Sequence, residues 1–137
     1  MDPYDKFYTG ACRKEMHKVF TRLIGAIRDD SFDALDTILT ADCVIDCSTY
    51  GHHEGIEAIK QHMKWPGPAL EVSKARIFNF VARSQGNRGQ QSAYVQYIVA
   101  KDDGINLFPF LYGGEFANSF RYENGQWKIE RMRFDLC

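Results

Sequence analysis

The chain has 137 residues, of which 45% are hydrophobic and 14% aromatic, and its formal net charge is −1. This length suits one domain with a substantial core over residues 1–137, and the composition excludes a disordered chain. The balance of 17 basic and 18 acidic residues lacks the basic excess of nucleic-acid-binding proteins. Ten Phe and seven Tyr residues predict either a dense core or a hollow one that is lined with rings.

The four cysteines, at positions 12, 43, 47 and 137, predict neither a disulfide framework nor a metal site. Cys43 and Cys47 would lie about 13 Å apart along one strand, beyond disulfide reach, and no pair has the spacing of a zinc or redox motif. The opening MDPYDKFY lacks the apolar segment of a signal peptide, and no apolar run is long enough to span a membrane. We therefore expect a cytoplasmic protein with free thiols and no membrane or nucleic-acid partner.

Three helices are predicted in the first half of the chain. A long amphipathic helix would begin at Asp2-Pro3 and end near Asp29 or Asp30, with inward residues that recur at helical spacing from Met16 to Ile27. Ser31 would cap a second helix over 32–39. A short strand over 43–48 and a turn with two histidines would follow, and Gly55 would open a third helix over 56–64.

After Pro68 the apolar period changes from helical spacing to two. Strands are predicted over 70–83, 91–101, 106–123 and 126–134, with turns at 86–89, Asp103-Gly104 and Asn124-Gly125. Pro109 and Gly113-Gly114 predict a bend or bulge within the third of these strands. Helices followed by a bent antiparallel sheet indicate an α+β fold, in which the first helix fills the concave side.

The turn at Asn124-Gly125 fixes a register that places polar groups on the core face. Continuing that register pairs Tyr122 with Trp127, Phe120 with Ile129, Asn118 with Arg131, and Phe116 with Arg133. Polar residues on the core face of a concave sheet predict a wet or ligand-holding cavity. In the alternative interpretation both arginines reach the sheet edge, and a bulge would reverse the parity. The opposite face would end in Met132 and Phe134, a candidate dimer surface.

Asp46 and His17 are the candidate proton-transfer residues. Asp46 is a general base if Val44, Asp46 and Ser48 face inward, and it is a solvent-facing residue if Cys43, Ile45 and Cys47 do. His17 follows Met16 on the first helix, where it either reaches the cavity or remains on the surface.

Tyrosines and one histidine are the candidate ligand-binding groups. Tyr94 and Tyr97 lie on opposite faces of one strand, so one of them faces inward, and Tyr112 precedes the glycine pair. His52, His53 and Glu54 are adjacent in a turn and do not converge on one ion, so we expect no metal site and place His53 at the pocket mouth.

The ordered motifs FDALDTILTADCVIDCSTYGHHEGIEAIKQHM and FRYENGQWKIERMRF resemble the SnoaL-like branch of the nuclear transport factor 2-like superfamily. The resemblance implies a cone-shaped, curved antiparallel sheet wrapped on the long first helix, with two shorter helices, a deep pocket and a homodimer. It places Cys47 where ketosteroid isomerases hold their general-base aspartate, with Asp46 one residue away. The positions of the dehydratase tyrosine and histidine fall near Leu23 and Lys74, so neither chemistry is carried by matched residues.

The residues and the resemblance support three hypotheses about function. The leading hypothesis is a cofactor-free isomerase, cyclase or dehydratase that acts on an apolar, cyclic or carbonyl-bearing molecule. Asp46 or His17 would move the proton, Asn118 and a tyrosine would stabilise an oxyanion, and Arg131 would bias the charge. The alternatives are a non-catalytic, dimeric ligand-binding protein with the same cavity and an interaction domain that binds a protein on its outer sheet face.

Overall fold

A computed structural model describes residues 10–28, 32–48, 51–62, 71–102 and 107–136. In these ranges the helices are α1 (Gly10–Arg28), a 3₁₀ helix (Phe32–Thr37) and α2 (Ile56–His62). The strands are β1 (Leu39–Cys47), β2 (Gly51–Glu54), β3 (Glu71–Gln85), β4 (Arg88–Asp102), β5 (Leu107–Glu123) and β6 (Gln126–Leu136). No helix among the described residues is long and apolar enough to cross a membrane.

The α+β plan with a curved sheet is confirmed, and the sheet is mixed rather than wholly antiparallel. Its six strands have the order β2-β1-β6-β5-β4-β3. β1 runs parallel to β6, whereas the other neighbouring strands are antiparallel. The turn predicted around the two histidines is wrong in part, since residues 51–54 pair with β1 as an edge strand. The predicted helix start at Asp2-Pro3 and the Asp103-Gly104 turn lie outside the described residues.

Helix α1 covers the inner face of the sheet, as its apolar period predicts. Met16 is 1% exposed, and Phe20 and Leu23 are fully buried. The helix approaches β4 at Gly89, where an added Cβ would lie 2.7 Å from the Met16 sulfur. Glycine at this position therefore lets the helix pack closely on the sheet.

A β-bulge in β6 reverses the parity that the hairpin register predicts. Phe120 pairs with Ile129 and Ser119 with Arg131, so Glu130 is the extra residue of β6. Beyond it Asn118 pairs with Met132 and Phe116 with Phe134, instead of the predicted Arg131 and Arg133. One extra residue turns every later side chain to the other face.

The two predictions that depended on the regular register are therefore wrong. Met132 and Phe134 are each 1% exposed, so they belong to the core and form no dimer surface. The side chains of Arg131 and Arg133 are 62% and 66% exposed on the outer face.

Glu130, the extra residue of the bulge, is bound by two arginines. Glu130 accepts a 2.8 Å hydrogen bond from Arg121 Nε and also binds Arg88. Arg121 further donates to Asp42 at 3.1 Å and to Glu123 at 3.3 Å. These charge-assisted bonds connect β5 to β6 and β1. They raise the pKa of Arg121, with Asp42 as the largest cause, and Arg121 in turn lowers the pKa of Asp42.

Replacing Arg121 tests whether this network stabilises the bulge. The Arg121→Met variant leaves the carboxylates of Glu130 and Asp42 without this cation, and we expect a loss of about 1 to 2 kcal/mol in the free energy of unfolding. Urea unfolding near neutral pH measures it. Arg76→Met is the matched control, since Arg76 is an exposed strand arginine, and it should change stability by less than about 0.5 kcal/mol. Equal effects of the two variants would contradict the role of Arg121.

Candidate functional site

Asp46 lies on the outer face of the sheet. β1 buries Cys43, Ile45 and Cys47 and turns Asp46 away from the core, with 36% of its side chain exposed. Its carboxylate accepts a 3.1 Å hydrogen bond from Arg131 and lies 2.5 Å from His52 Nδ1. The inward orientation that a general base in the concave pocket requires is therefore not the observed one.

His52 lies between two carboxylates and extends the Asp46 network to β2. Its Nδ1 faces Asp46, and its Nε2 is 3.1 Å from Glu54. Donating from both nitrogens requires the protonated imidazole. The pKa of His52 is accordingly raised, first by Asp46 and then by Glu54, and the pKa of Asp46 is lowered, first by His52. Together with Arg131, these side chains connect β2, β1 and β6 on the outer face.

His17 lies on the exposed side of α1, away from Asp46. Its ring meets the Phe80 ring edge-on, with centroids 4.8 Å apart. Arg13 stacks on Phe80 at 5.4 Å and donates to its backbone oxygen. Because α1 covers the inner face and Asp46 lies on the outer one, the two candidate proton-transfer residues are not brought together.

The remaining candidates are also separated. Tyr94 faces outward, where its ring centroid lies 6.4 Å from that of Phe78. Its hydroxyl lies against Gly113, where an added Cβ would be 2.5 Å from it. His53 is half-buried on β2 opposite Ile45. The backbone of Tyr112 lies in β5, and its side chain is outside the described residues.

The inner face carries a buried amide pair that the sequence predicts only in part. Asn118 and Gln91 are each 3% exposed, and Asn118 Nδ2 donates to Gln91 Oε1 at 2.7 Å. Gln91 Nε2 and Asn118 Oδ1 have no hydrogen-bond partner among the described residues. Phe116 and Phe120 flank Asn118 along β5 and are buried with it. Two unsatisfied polar atoms in such an apolar setting are costly unless a further group binds them.

Gln91 was missed because its position depends on the connection between β4 and β5. Asp102 pairs with Leu107, so four residues lie between the paired ends of these strands. The register that follows places Gln91 opposite Asn118. An alternation of buried and exposed residues along β4 is the signal that could have indicated an inward Gln91, since Ala93 and Val95 follow at period two.

A trough of about 420 Å³ lies on the outer face of β3 to β6. Its lining includes the small residues Ser92, Ala117 and Ser119 and three arginines, Arg83, Arg131 and Arg133. Val81, Gln90, Gln91 and Asn118 complete the lining. Val81 on the β3 wall is 62% exposed, and the nearby Phe78 is 42% exposed. This arrangement leaves a concave surface of mixed polarity on the side opposite α1.

Cys43 is a buried thiol, and the described ranges hold no cluster of metal-binding side chains. Burial raises the pKa of Cys43 to about 12, which keeps that thiol protonated and unreactive near neutral pH. Within these ranges no three His, Cys, Asp or Glu side chains are arranged to hold a metal ion.

Comparisons with known proteins identify the family and the fold. A family model described as a SnoaL-like domain matches residues 11–133. No match was found among curated protein sequences.

Three of the similar solved structures illustrate the range of proteins with this fold. An NTF2-like protein from Cytophaga hutchinsonii is 10% identical, with a TM-score of 0.70 over 91% of this chain and 98% of that one. A type 2 hexachlorocyclohexane dehydrochlorinase is 14% identical, with a TM-score of 0.73 over 92% and 85%. The association domain of C. elegans CaMKII is 12% identical, with a TM-score of 0.74 over 92% and 96%. At these identities the likeness concerns the fold alone.

The protonated His52 ring, which lies between the carboxylates of Asp46 and Glu54, predicts a pH dependence of stability. A raised folded-state pKa stabilises the protein fully below the unfolded value, about 6.5 for histidine, and this stabilisation is lost as the pH rises through the folded value. We therefore expect the stability difference between the natural chain and His52→Gln to be largest near pH 6 and to shrink as the pH rises to 9. Urea unfolding across this range measures it.

The control for this experiment removes the largest cause of the raised pKa. In an Asp46→Asn background, the His52→Gln substitution should show a weaker dependence on pH, because one of the two carboxylates is gone. A stability difference that is constant from pH 6 to 9 in the natural background would contradict the contact of protonated His52 with the two carboxylates.

Proposed function

Because the chain belongs to the SnoaL-like domain family, we propose that it is a non-catalytic, dimeric protein that binds a small apolar molecule on its inner sheet face. The observation that carries this proposal is the buried Gln91–Asn118 pair with its two unsatisfied polar atoms. Amides donate and accept hydrogen bonds without ionising, so they recognise a ligand but do not supply a proton to it.

The positions of Asp46 and His17 favour binding over acid–base catalysis. A general base must reach the proton that it abstracts, and these two residues lie on the outer face and on the exposed side of α1. The likeness to a dehydrochlorinase supports the fold alone at 14% identity. An enzyme would need a titratable group beside the ligand, whereas the buried polar side chains of the described residues are Thr40, Gln91 and Asn118.

The ligand would lie against the amide pair and extend along the inner face of β4 and β5. Ala93 and Val95 follow Gln91 on this face and are buried, and the two strands continue to Asp102 and Leu107. An apolar wall with a few hydrogen-bonding groups is the usual composition of a small-molecule site.

The outer trough is the surface through which we propose that two copies associate. Val81 and Phe78 are exposed apolar side chains, and the trough lining includes the small residues Ser92, Ala117 and Ser119, a combination that allows a second sheet to approach closely. Arginines lie beside Asp46 and Asp135 on the same face, so the face carries both charges and can pair with itself. Association through this fold has a precedent in the CaMKII association domain.

Binding without turnover is tested with cyclohexanone and δ-valerolactam as probes. We expect each compound to shift the side-chain amide resonances of Gln91 and Asn118 in a saturable manner and to be recovered chemically unchanged. The Gln90 amide is the internal control, because Gln90 is adjacent but exposed on the outer face. Conversion of either probe, or shifts of Gln90 without shifts of Gln91, would refute the proposal.

The dimer surface is tested by a charge in the trough, at Ala117 of its lining. Ala117→Glu places a carboxylate where a second sheet would pack, and we expect the dimer to dissociate to a monomer in sedimentation equilibrium. Ala34→Glu is the matched control, since Ala34 is an exposed alanine on the 3₁₀ helix, and it should leave the dimer intact. A natural chain that is monomeric, or dissociation by both variants alike, would exclude the trough as the interface.

A further inference from the structure

The Gln91–Asn118 pair specifies which chemical group the inner site can bind. The two amides share a single hydrogen bond of 2.7 Å, although two amides placed edge to edge can form two. One amide nitrogen and one amide oxygen therefore remain free, in either orientation of the groups. Here they are Gln91 Nε2, which donates, and Asn118 Oδ1, which accepts.

The two free atoms belong to the two amides that share this hydrogen bond. Each amide holds its nitrogen and oxygen on one carbon atom, so Gln91 Nε2 and Asn118 Oδ1 lie within a few ångströms of the bonded pair. A ligand that satisfies both must present an acceptor and a donor at similar spacing. A secondary amide in its cis form, as in a lactam or cyclic imide, presents C=O and N–H on one edge.

The surroundings of the pair require a neutral ligand. Both amides are 3% exposed, and Phe116, Phe120 and Met132 around Asn118 are at most 3% exposed. A carboxylate or an ammonium in this setting would be desolvated without an opposite charge, which is far more costly than burying a neutral amide. A ketone supplies the acceptor for Gln91 but leaves the Asn118 oxygen unpaired.

We infer that the inner site selects neutral cyclic molecules in which an N–H is adjacent to a carbonyl, with Gln91 donating to the carbonyl oxygen and Asn118 accepting from the N–H. This inference rests on the proposed ligand-binding function and adds the ligand class to it. A site built around a donor and an acceptor discriminates strongly against an analogue that leaves one of them unpaired.

The test compares the affinities of δ-valerolactam and cyclohexanone, which have similar rings and differ at the N–H. We expect the natural chain to bind the lactam at least about tenfold more tightly, as measured by calorimetry or by NMR titration. Asn118→Leu removes the acceptor at similar volume and should abolish this preference. Gln91→Met should weaken the binding of both compounds, whereas Gln90→Met on the outer face should change neither affinity.

A folding control keeps the test decisive. Each single substitution leaves one buried amide unpaired, whereas Gln91→Met with Asn118→Leu replaces both partners by apolar groups and should remain folded. This double variant should bind cyclohexanone about as weakly as Gln91→Met does and show no lactam preference.

The outcomes separate the ligand class from the proposed function. Equal affinities of the natural chain for lactam and ketone overturn the inference and leave ligand binding in place. Failure of both probes to bind overturns both proposals. Two ordered waters on the free amide atoms that neither probe displaces would show that the pair is a hydrated structural element, which also overturns the inference.

Discussion

The insertion of Glu130 into β6 determines which side chains of the last strand face inward. Phe120 pairs with Ile129 on one side of it and Ser119 with Arg131 on the other, so the strand presents Trp127 and Ile129 and then Met132 and Phe134 to the core. Its position is maintained by Arg88 and Arg121, which bind a carboxylate that is only 18% exposed. Charge-assisted bonds at a partly buried site are strong enough to hold an extra residue in place.

The chemistry of the two sheet faces follows from this constraint. Without the bulge, Arg131 and Arg133 would enter the core opposite Asn118 and Phe116, where each guanidinium would need a buried partner. With it, the arginines remain in solvent beside Asp46 and Asp135, and the buried polar side chains that the structure describes on β4 and β5 are the uncharged amides of Gln91 and Asn118. Burying an amide costs far less than burying a charge, and the amide keeps its full hydrogen-bonding capacity. The bulge therefore leaves uncharged hydrogen-bonding groups on the inner face, which is what the proposed ligand site requires.

The sequence predicted the helices and strands whose apolar residues recur at regular spacing. The prediction was wrong where one extra residue changes the sheet face to which the following side chains point. The amphipathic stripe from Met16 to Ile27 indicated α1, and Asn124-Gly125 indicated the β5–β6 hairpin, because these signals are local. The side on which Arg131 lies depends on Glu130, whose arginine partners at positions 88 and 121 come from other strands. The inward position of Asn118 was predicted correctly, but its partner Gln91 was not, since the β4–β5 register depends on loop length. The edge strand β2 was missed because Gly-His-His-Glu has no apolar alternation.

The same geometry explains why Asp46 is a poor general base despite lying next to a histidine. A base in a pocket near neutral pH needs a raised pKa, which comes from burial without a nearby cation. Asp46 has the opposite setting, with His52 and Arg131 bound to one carboxylate and a pKa that is lowered. Its acid form is therefore disfavoured, and the carboxylate serves as an anchor for two cations. The bulge at Glu130 turns Arg131 to the outer face, where Arg131 contacts Asp46. The same extra residue therefore keeps the arginine charge away from the inner face and brings it to the candidate catalytic carboxylate.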